Sequence, residues 1–112
     1  IKISIGGLVE SFVFDTGASD VLISKEMEKN LISRGLLKKT NYLKDGLYRI
    51  ADGSIIKQRR LLIPKLKIGN FTLTNVEASV TDSNTLLLGK SVLDKFKTWN
   101  VDNVTQTLEL NK

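Results

Sequence analysis

The stretch Phe12-Val13-Phe14-Asp15-Thr16-Gly17-Ala18-Ser19 joins an apolar run to a carboxylate that a hydroxyl residue and a glycine follow at once. The apolar run is typical of a buried strand. Asp15 then ends that strand, Gly17 lets the backbone turn sharply beneath it, and Thr16 can hydrogen-bond locally to hold the loop. A plainer interpretation is an aspartate that caps a turn. The apolar run Val21-Leu22-Ile23 after the loop favours the first interpretation, a carboxylate presented at the end of a buried strand.

The length and composition are those of one small globular domain. The chain has 112 residues, of which 41% are hydrophobic and 26% are charged, and we expect a single domain over residues 1–112. A domain of this size has a modest core, so a partner would help to stabilise it. The chain opens on Ile1 rather than on methionine, which suggests a segment cut from a longer protein.

Two residue types are missing, and their absence excludes several classes of site. The sequence has no cysteine, so disulfides and thiolate metal sites are excluded. It has no histidine either, which removes the usual general base, the Ser-His and Cys-His nucleophile pairs and most zinc sites. We therefore expect no metal site, and in an enzyme of this composition carboxylates and hydroxyls must carry the chemistry, with lysine as a further candidate.

The net charge of +5 raises the question of a nucleic-acid partner. A basic surface can bind nucleic acid or an anionic membrane, but the basic residues are scattered except at Lys38-Lys39 and Lys57–Arg60. Few aromatic residues lie among them, as base stacking would require. We interpret Lys57–Arg60 as an exposed strand face, expect no nucleic-acid partner, and keep a nucleic-acid-binding barrel as the weakest alternative. No run of about 20 apolar residues is present, so we expect no membrane contact from this segment, and its localisation stays open.

Short alternating segments predict a mostly β domain. The predicted hairpins pair Ile1–Ile5 with Leu8–Phe14, Thr40–Ile50 with Ile55–Ile63, Lys65–Ile68 with Phe71–Val80, and Thr98–Val101 with Thr105–Leu110. Pro64 is expected to interrupt the extended segment between Ile55–Ile63 and Lys65–Ile68. Val21-Leu22-Ile23 and Leu86-Leu87-Leu88 are predicted as short strands, the latter buried on both faces. Phe96 and Trp99 are interpreted as core residues.

Two short helices are predicted from their terminal signals. Ser24 and Gly35 stand where a helix of about three turns would begin and end. Ser91, with Asp94 three residues later, forms a capping-box pattern that opens a second helix running through Phe96. Many short strands with two helices predict a small closed or partly closed barrel.

Three separated motifs resemble the retropepsin-like aspartic peptidases, of the bacterial rather than the viral kind. Phe14–Ser19 is similar to the family's active-site motif. Leu87–Leu93 is similar to its late apolar-apolar-glycine strand, which leads into a helix. Ile50–Gly53 is a hairpin tip in the place of the flap that closes over the substrate. The first two motifs are specific in combination, whereas the third rests on position.

The resemblance implies an aspartic endopeptidase that cleaves extended peptides and uses no metal or organic cofactor. In such enzymes two carboxylates share one proton, because like charges that close cannot both ionise. One carboxylate activates a water as base, and the other hydrogen-bonds to the substrate carbonyl as acid. Asp-Thr-Gly occurs once in this sequence, so Asp15 must come from each of two chains in a two-fold homodimer.

The same resemblance assigns roles to individual residues. Asp15 is the predicted catalytic residue, with Thr16 and Gly17 holding its loop. The predicted substrate contacts are Ala18, Asp20, Ala51, Asp52 and Gly53, and the predicted supports of the loop are Leu87, Leu88 and Gly89. Three alternatives stay open: Asp20 as a solvated residue, Asp52-Gly53 as a plain hairpin turn, and Gly89 as a simple strand end.

The sequence departs from the viral members at one ion pair. In many of them an acidic residue four places after the catalytic aspartate pairs with an arginine just after the late glycine. Ser19 and Lys90 occupy those places here, so that ion pair cannot form and the viral dimer is a poor guide to this interface. The stretch 24–45, with its helix, is also longer than the viral equivalent.

A second functional class stays open. The same fold could serve as a peptide-binding or dimerisation module that keeps Asp-Thr-Gly without useful turnover. The replacement Asp15→Asn would separate the two classes, since it would abolish cleavage while changing peptide affinity little.

Overall fold

The chain folds into a mostly β structure with two short α-helices. The computed structural model describes residues 1–49, 52–102, 104–105 and 107–111. The strands in these residues are β1 (Lys2–Ile5), β2 (Leu8–Ser11), β3 (Val13–Phe14), β4 (Val21–Ser24), β5 (Gly46–Arg49), β6 (Ile55–Gln58), β7 (Arg60–Ile68), β8 (Phe71–Thr81), β9 (Leu87–Leu88), β10 (Thr98–Asp102) and β11 (Thr107–Asn111). The helices are α1 (Lys25–Ser33) and α2 (Lys90–Leu93), with a 3-10 turn at Lys39–Asn41. The predicted mostly β fold with two short helices is confirmed.

The main sheet nearly closes into a barrel because the chain steps from one of its edges to the other at Phe12. Within the described residues its strand order is β2-β1-β7-β8-β4-β9-β3, so β2 and β3 lie at opposite edges. The Phe12 amide donates to the Ile1 carbonyl at 2.7 Å, whereas the next amide, of Val13, donates to the Leu86 carbonyl at 2.8 Å. The barrel-like closure leaves few unpaired strand edges, and the Phe12 side chain is buried in the core.

Pro64 does not interrupt the strand in which it lies, so the predicted interruption is wrong. β7 runs through the proline and pairs with β8 in one register on both sides of it. The proline lies opposite Asn75, whose φ is 52°, and there the strand changes the face that it buries. Inward residues are odd-numbered before the proline and even-numbered after it: Leu61, Ile63, Leu66 and Ile68. Since proline cannot donate to the ladder, it is tolerated at this bend of the hairpin.

Helix α1 begins and ends where the terminal signals predicted. The Met27 amide donates to the Ser24 hydroxyl at 3.1 Å, and Gly35, with a φ of +72°, follows the last turn. Met27 and Leu31 bury one face of the helix in the core. Among the described residues, no helix is long and apolar enough to cross a membrane.

Helix α2 differs from its prediction. It begins at Lys90 with Gly89 as its N-cap residue and no side-chain cap, and Asp94 is its C-cap. Ser91 therefore lies inside the first turn, and the predicted capping box is wrong. The hydroxyl of Ser91 is used for long-range bonds, which a local pattern cannot reveal.

Two hairpins form sheets of their own, β5–β6 and β10–β11. The strands of the first, 46–49 and 55–58, are shorter than the predicted arms 40–50 and 55–63, although an isolated bridge between Tyr42 and Leu61 continues the pairing below them. Its tip residues Ile50 and Ala51 lie outside the described part of the chain. The predicted hairpin near the C-terminus is confirmed as β10–β11.

The two aromatic residues predicted for the core have different environments. Phe96 is 6% exposed and packs edge-on against Phe71, so its prediction is confirmed. Trp99 is 38% exposed on β10, and its assignment to the core is wrong.

Candidate active site

Asp15 leaves the sheet directly after β3, which is held by β9. Val13 and Phe14 pair in parallel register with Leu87 and Leu88. The Asp15 amide continues the pairing by donating to the Leu88 carbonyl at 3.1 Å. Leu88 is fully buried, so the carboxylate emerges at a point fixed by the core.

The loop after β3 turns back on the Asp15 carboxylate. The Gly17 amide donates to Asp15 Oδ1 at 2.8 Å, and the Ala18 amide donates to the Asp15 carbonyl at 3.2 Å. The Asp15 side chain is half-buried, whereas Thr16 and Gly17 are exposed on the protomer. The carboxylate is thus oriented by a main-chain donor on a residue that is not fully buried.

Gly89 is required by a close approach of two backbones. A Cβ at this position would lie 2.1 Å from the Asp20 carbonyl oxygen and 2.7 Å from that of Ala18. Its φ of −100° is ordinary, so space and not backbone conformation demands glycine. The next amide, of Lys90, donates to the Ala18 carbonyl at 2.8 Å. The glycine therefore lets residues 15–20, which we call the catalytic loop after the predicted role of Asp15, lie directly against the start of α2.

Ser91 fastens the same loop to two strands. Its amide donates to the Ser19 carbonyl at 2.8 Å. Its hydroxyl accepts from the Val21 amide at 3.2 Å and donates to the Glu77 carbonyl at 2.9 Å. Ser19 and Lys90, which replace the viral ion pair, thus take part in main-chain bonds that join the loop to α2.

Asp20 is buried in a polar network at the end of the catalytic loop. It is 6% exposed, and its Oδ2 accepts from Ser79 Oγ at 2.9 Å and from Arg60 Nε at 3.1 Å. Arg60 Nη2 also donates to Glu77 Oε2 at 3.0 Å. The interpretation of Asp20 as solvated is therefore wrong, and its contact with substrate stays a prediction.

The described part of the β5–β6 tip is organised by Asp52. Its Oδ1 accepts from the Ser54 hydroxyl at 2.6 Å and from the Ser54 amide at 2.8 Å. These bonds from Ser54 lower the pKa of the Asp52 carboxyl. Gly53 has a φ of +86°, which the turn requires and glycine permits. Substrate contacts by Asp52 and Gly53 stay predictions, and the same prediction for Ala51 falls outside the described residues.

A second buried carboxylate, Glu28 of α1, joins the helix to the base of the β5–β6 hairpin. Glu28 is 6% exposed and accepts from Arg59 Nη2 at 2.8 Å, from Arg59 Nε at 3.1 Å and from the Tyr42 hydroxyl at 2.6 Å. Burial alone would raise the pKa of Glu28, but the bonds from Arg59 and Tyr42 outweigh it and lower the pKa. Burial and the Glu28 carboxylate raise the pKa of Tyr42 to about 12.

Lys57 and Arg59 are exposed, as the interpretation of Lys57–Arg60 as an exposed strand face expects, whereas Arg60 is half-buried. Both arginines also pair with a buried carboxylate, Arg59 with Glu28 and Arg60 with Asp20. The sequence offered no local signal for either network. Each joins residues from distant parts of the chain, and only the folded topology brings them together.

Apolar side chains beside the catalytic loop lie on both faces of the edge strand β3, Val13 on one face and Phe14 on the other. The rings of Phe14 and Trp99 are 5.5 Å apart and tilted by 59°, so the contact places β10 against the strand that carries Asp15. Val13 is 58% exposed and Trp99 is 38% exposed on the protomer. Among the described residues, no group of three or more acidic side chains is placed to hold a metal ion.

Comparison with known proteins agrees with this fold. A family model described as aspartyl protease matches residues 1–92, which include the catalytic loop, the β5–β6 hairpin and the first residues of α2. The chain belongs to the aspartyl protease family. Among solved structures, it is similar to a retropepsin-like aspartic protease from Rickettsia conorii, with 26% identity and a TM-score of 0.64. That match covers 92% of this chain and 73% of the other. A comparison with curated proteins found no match to this member of the aspartyl protease family.

Proposed function

We propose that this aspartyl protease family member is an active endopeptidase whose catalytic centre consists of Asp15 from two copies of the chain. The observation that carries the proposal is the placement of Asp15. Its carboxylate is held by the Gly17 amide on a loop bonded to both β9 and α2, and Asp15 is not fully buried.

The need for a second copy follows from the supply of carboxylates. Asp-Thr-Gly occurs once in the chain. Asp20, the next acidic residue along the sequence, is buried and bound to Arg60 and Ser79. It is therefore a support of the loop and a poor candidate for the second catalytic group. A two-fold axis beside the catalytic loop would supply an identical Asp15.

The chemistry of such a pair requires only the two carboxylates and a water. Two close carboxylates cannot both ionise, so they hold one proton between them. The ionised Asp15 takes a proton from the water, whose oxygen attacks the peptide carbonyl carbon. The protonated Asp15 of the partner copy donates a hydrogen bond to the carbonyl oxygen and stabilises the developing charge.

Exposed and half-buried apolar side chains on the two faces of β3 support association of two copies at this place. Val13, Phe14 and Trp99 lie beside the loop, and an exposed apolar surface is typical of an interaction site. Thr16 and Gly17, which follow β3 closely in the chain, are also exposed on the protomer. Packing two copies through these residues would bring the two Asp15 residues together.

The β5–β6 hairpin is the proposed flap over the cleft. Its side chains Leu47 and Ile55 are 68% and 59% exposed, so they are available to cover a substrate. We place an extended peptide beneath the tip residues Ala51–Gly53 and beside Ala18, paired through its main chain as an added strand.

Cleavage of a mixed peptide library by a concentrated sample tests this proposal. The wild type is expected to cut peptides internally, whereas Asp15→Asn is expected to lose essentially all activity because the dyad is removed. Asp94→Asn is the matched control, since it makes the same chemical change at an exposed residue outside the loop. Activity that survives in Asp15→Asn would contradict the proposal.

The same experiment distinguishes the alternative function, a peptide-binding module without turnover. It would give no cleavage by the dimeric wild type, but it would bind peptides equally with Asp15 or Asn at this position.

A further inference from the structure

The β5–β6 hairpin depends on its base for its orientation. It forms a two-stranded sheet of its own, and Leu47 and Ile55 on it are largely exposed. An isolated two-stranded hairpin is only marginally stable in water. The position of its tip must therefore be set largely where its two legs join the body of the protein.

The two legs meet at a short paired segment, which we call the hairpin root and define as Tyr42–Leu43 and Arg59–Leu61. The Leu43 amide donates to the Arg60 carbonyl at 2.8 Å, and Tyr42 pairs with Leu61 in antiparallel fashion. Arg59 lies between β6 and β7, and its carbonyl accepts from the Val80 amide at 2.9 Å. The root is thus the transition from the hairpin to the main sheet.

Two consecutive arginines leave the root in different directions. Successive side chains of an extended chain point to opposite faces, and here Arg59 reaches helix α1 while Arg60 reaches the catalytic loop. Arg59 makes a two-pronged contact with Glu28, and the Tyr42 hydroxyl on the other leg bonds the same carboxylate. Arg60 bonds Asp20. The Asp20 and Glu28 carboxylates are only 6% exposed, so neither carboxylate can move freely in solvent.

The Asp20 end of this arrangement leads to the catalytic aspartate. The Asp20 carbonyl lies against Gly89, and the residues on either side of it, Ser19 and Val21, are bonded to Ser91. A shift of Arg60 would therefore be transmitted to a short loop that begins at Asp15.

We infer that Arg59 and Arg60 act as a two-sided clamp that sets the hairpin position relative to the catalytic loop. This inference rests on the proposed function, in which the hairpin covers the substrate. Arg59 fixes the root to α1 through Glu28, and Arg60 fixes it to the loop through Asp20. Charge-assisted contacts of fixed geometry, one of them bidentate, restrict rotation of the root. The two arginines, Glu28 and Asp20 are positioning residues and do not touch the reacting atoms.

Amide hydrogen exchange tests the clamp without requiring catalysis. Glu28→Gln and Asp20→Asn keep the size of each side chain and remove its charge, and Arg59→Lys keeps the charge but loses the two-pronged contact. Each variant is expected to speed exchange of β5 and β6 amides by roughly tenfold, as loss of a charge-assisted bond implies. The Lys90 and Ser91 amides, which bond the catalytic loop, should also exchange faster, whereas β8 core amides should stay protected.

Glu26→Gln is the matched control, because it makes the same chemical change as Glu28→Gln on the same helix, at an exposed residue that lies beside Glu10 and Asn84. It is expected to leave hairpin exchange unchanged. Should Glu28→Gln fail to fold, Arg59→Lys carries the test. Unchanged hairpin exchange in Arg59→Lys and Asp20→Asn would overturn the clamp, whether or not the wild type cleaves peptides.

Kinetics distinguish positioning from general stability. In the clamp, Arg59→Lys raises KM several-fold more than it lowers kcat, because a looser hairpin weakens substrate binding first. A uniform loss of active protein would lower the apparent kcat alone, and that result would contradict a positioning role.

Discussion

Gly89 shows how one position can be fixed by space alone. Its Cα faces the carbonyl oxygens of Asp20 and Ala18, and a Cβ would lie 2.1 Å and 2.7 Å from them. These neighbours are backbone atoms, so they cannot move aside without displacing the catalytic loop. The sequence motif predicted a glycine that supports the loop, but only the structure identifies the two carbonyls that require it.

Gly89→Ala is therefore expected to destabilise the protein by about 3 kcal/mol, at the upper end of overpacking costs. Gly69→Ala is the control, because Gly69 has a φ of +57° and nothing within 4 Å of an added Cβ. It should cost only about 1–2 kcal/mol of left-handed strain. Urea denaturation of both variants measures the difference, and equal losses would contradict the close-approach explanation.

Tyr42 gives a titration signal for the Glu28 network. Burial and the bond to the Glu28 carboxylate raise its pKa to about 12. The neutral phenol is therefore favoured in the folded protein, so its contribution to stability is complete below the ordinary tyrosine pKa of about 10. That contribution is lost as the pH rises from there through about 12.

Spectrophotometric titration of a Tyr48→Phe protein would report Tyr42 alone, since the chain has two tyrosines. We expect a pKa for Tyr42 near 12, and a lower value after Glu28→Gln because the carboxylate charge is gone. An identical pKa in both proteins would show that Glu28 has no influence on Tyr42.

At the scale of elements, the sequence correctly predicted the helix ends that neighbouring residues determine. Helix α1 begins at a serine cap and is followed by a glycine with positive φ, and both features were evident in the sequence. Helix α2 lacked such a cap, because Ser91 bonds Val21 and Glu77 rather than its own helix. The prediction for Pro64 was wrong because it considered only the local chain. The partner strand β8 maintains the pairing on both sides of the proline.

The cap of α1 is expected to be worth about 1 kcal/mol. Ser24→Ala removes the acceptor for the Met27 amide and leaves a buried donor unpaired. Ser33→Ala in the last turn is the control, because its exposed hydroxyl donates to the Asn30 carbonyl and is replaceable by water. Thermal unfolding of the two variants measures the difference. If Ser24→Ala were as stable as Ser33→Ala, the cap would not contribute.

At the scale of the whole molecule, the sequence was sufficient to predict the fold class and the placement of Asp15 at a strand end. It could not reveal the networks around Glu28 and Asp20, because residues 28 and 59, or 20 and 60, meet only after the barrel has formed. The exposure of Trp99 was also unpredictable from the sequence, because it depends on where β10 packs.

The exposure of Val13 on the edge strand β3 gives a prediction for association. Val13→Lys is expected to shift sedimentation equilibrium toward the monomer and to reduce cleavage, because a charge would be buried between two copies. Ile32→Lys is the control, since it makes a similar change at a residue on helix α1 that is 50% exposed. Dimerisation that is unaffected by Val13→Lys would place the interface elsewhere.

The central claim is that each active centre takes one Asp15 from each of two chains, and mixing two variants tests it most directly. Wild type and Asp15→Asn are unfolded together at equal amounts, refolded, and assayed for peptide cleavage at fixed total protein. If both copies must supply the carboxylate, only dimers of two wild-type chains are active after random pairing. The rate then falls to about a quarter of that of wild type alone at the same total protein. A rate of about one half would mean that each chain acts independently, and it would contradict the shared catalytic dyad.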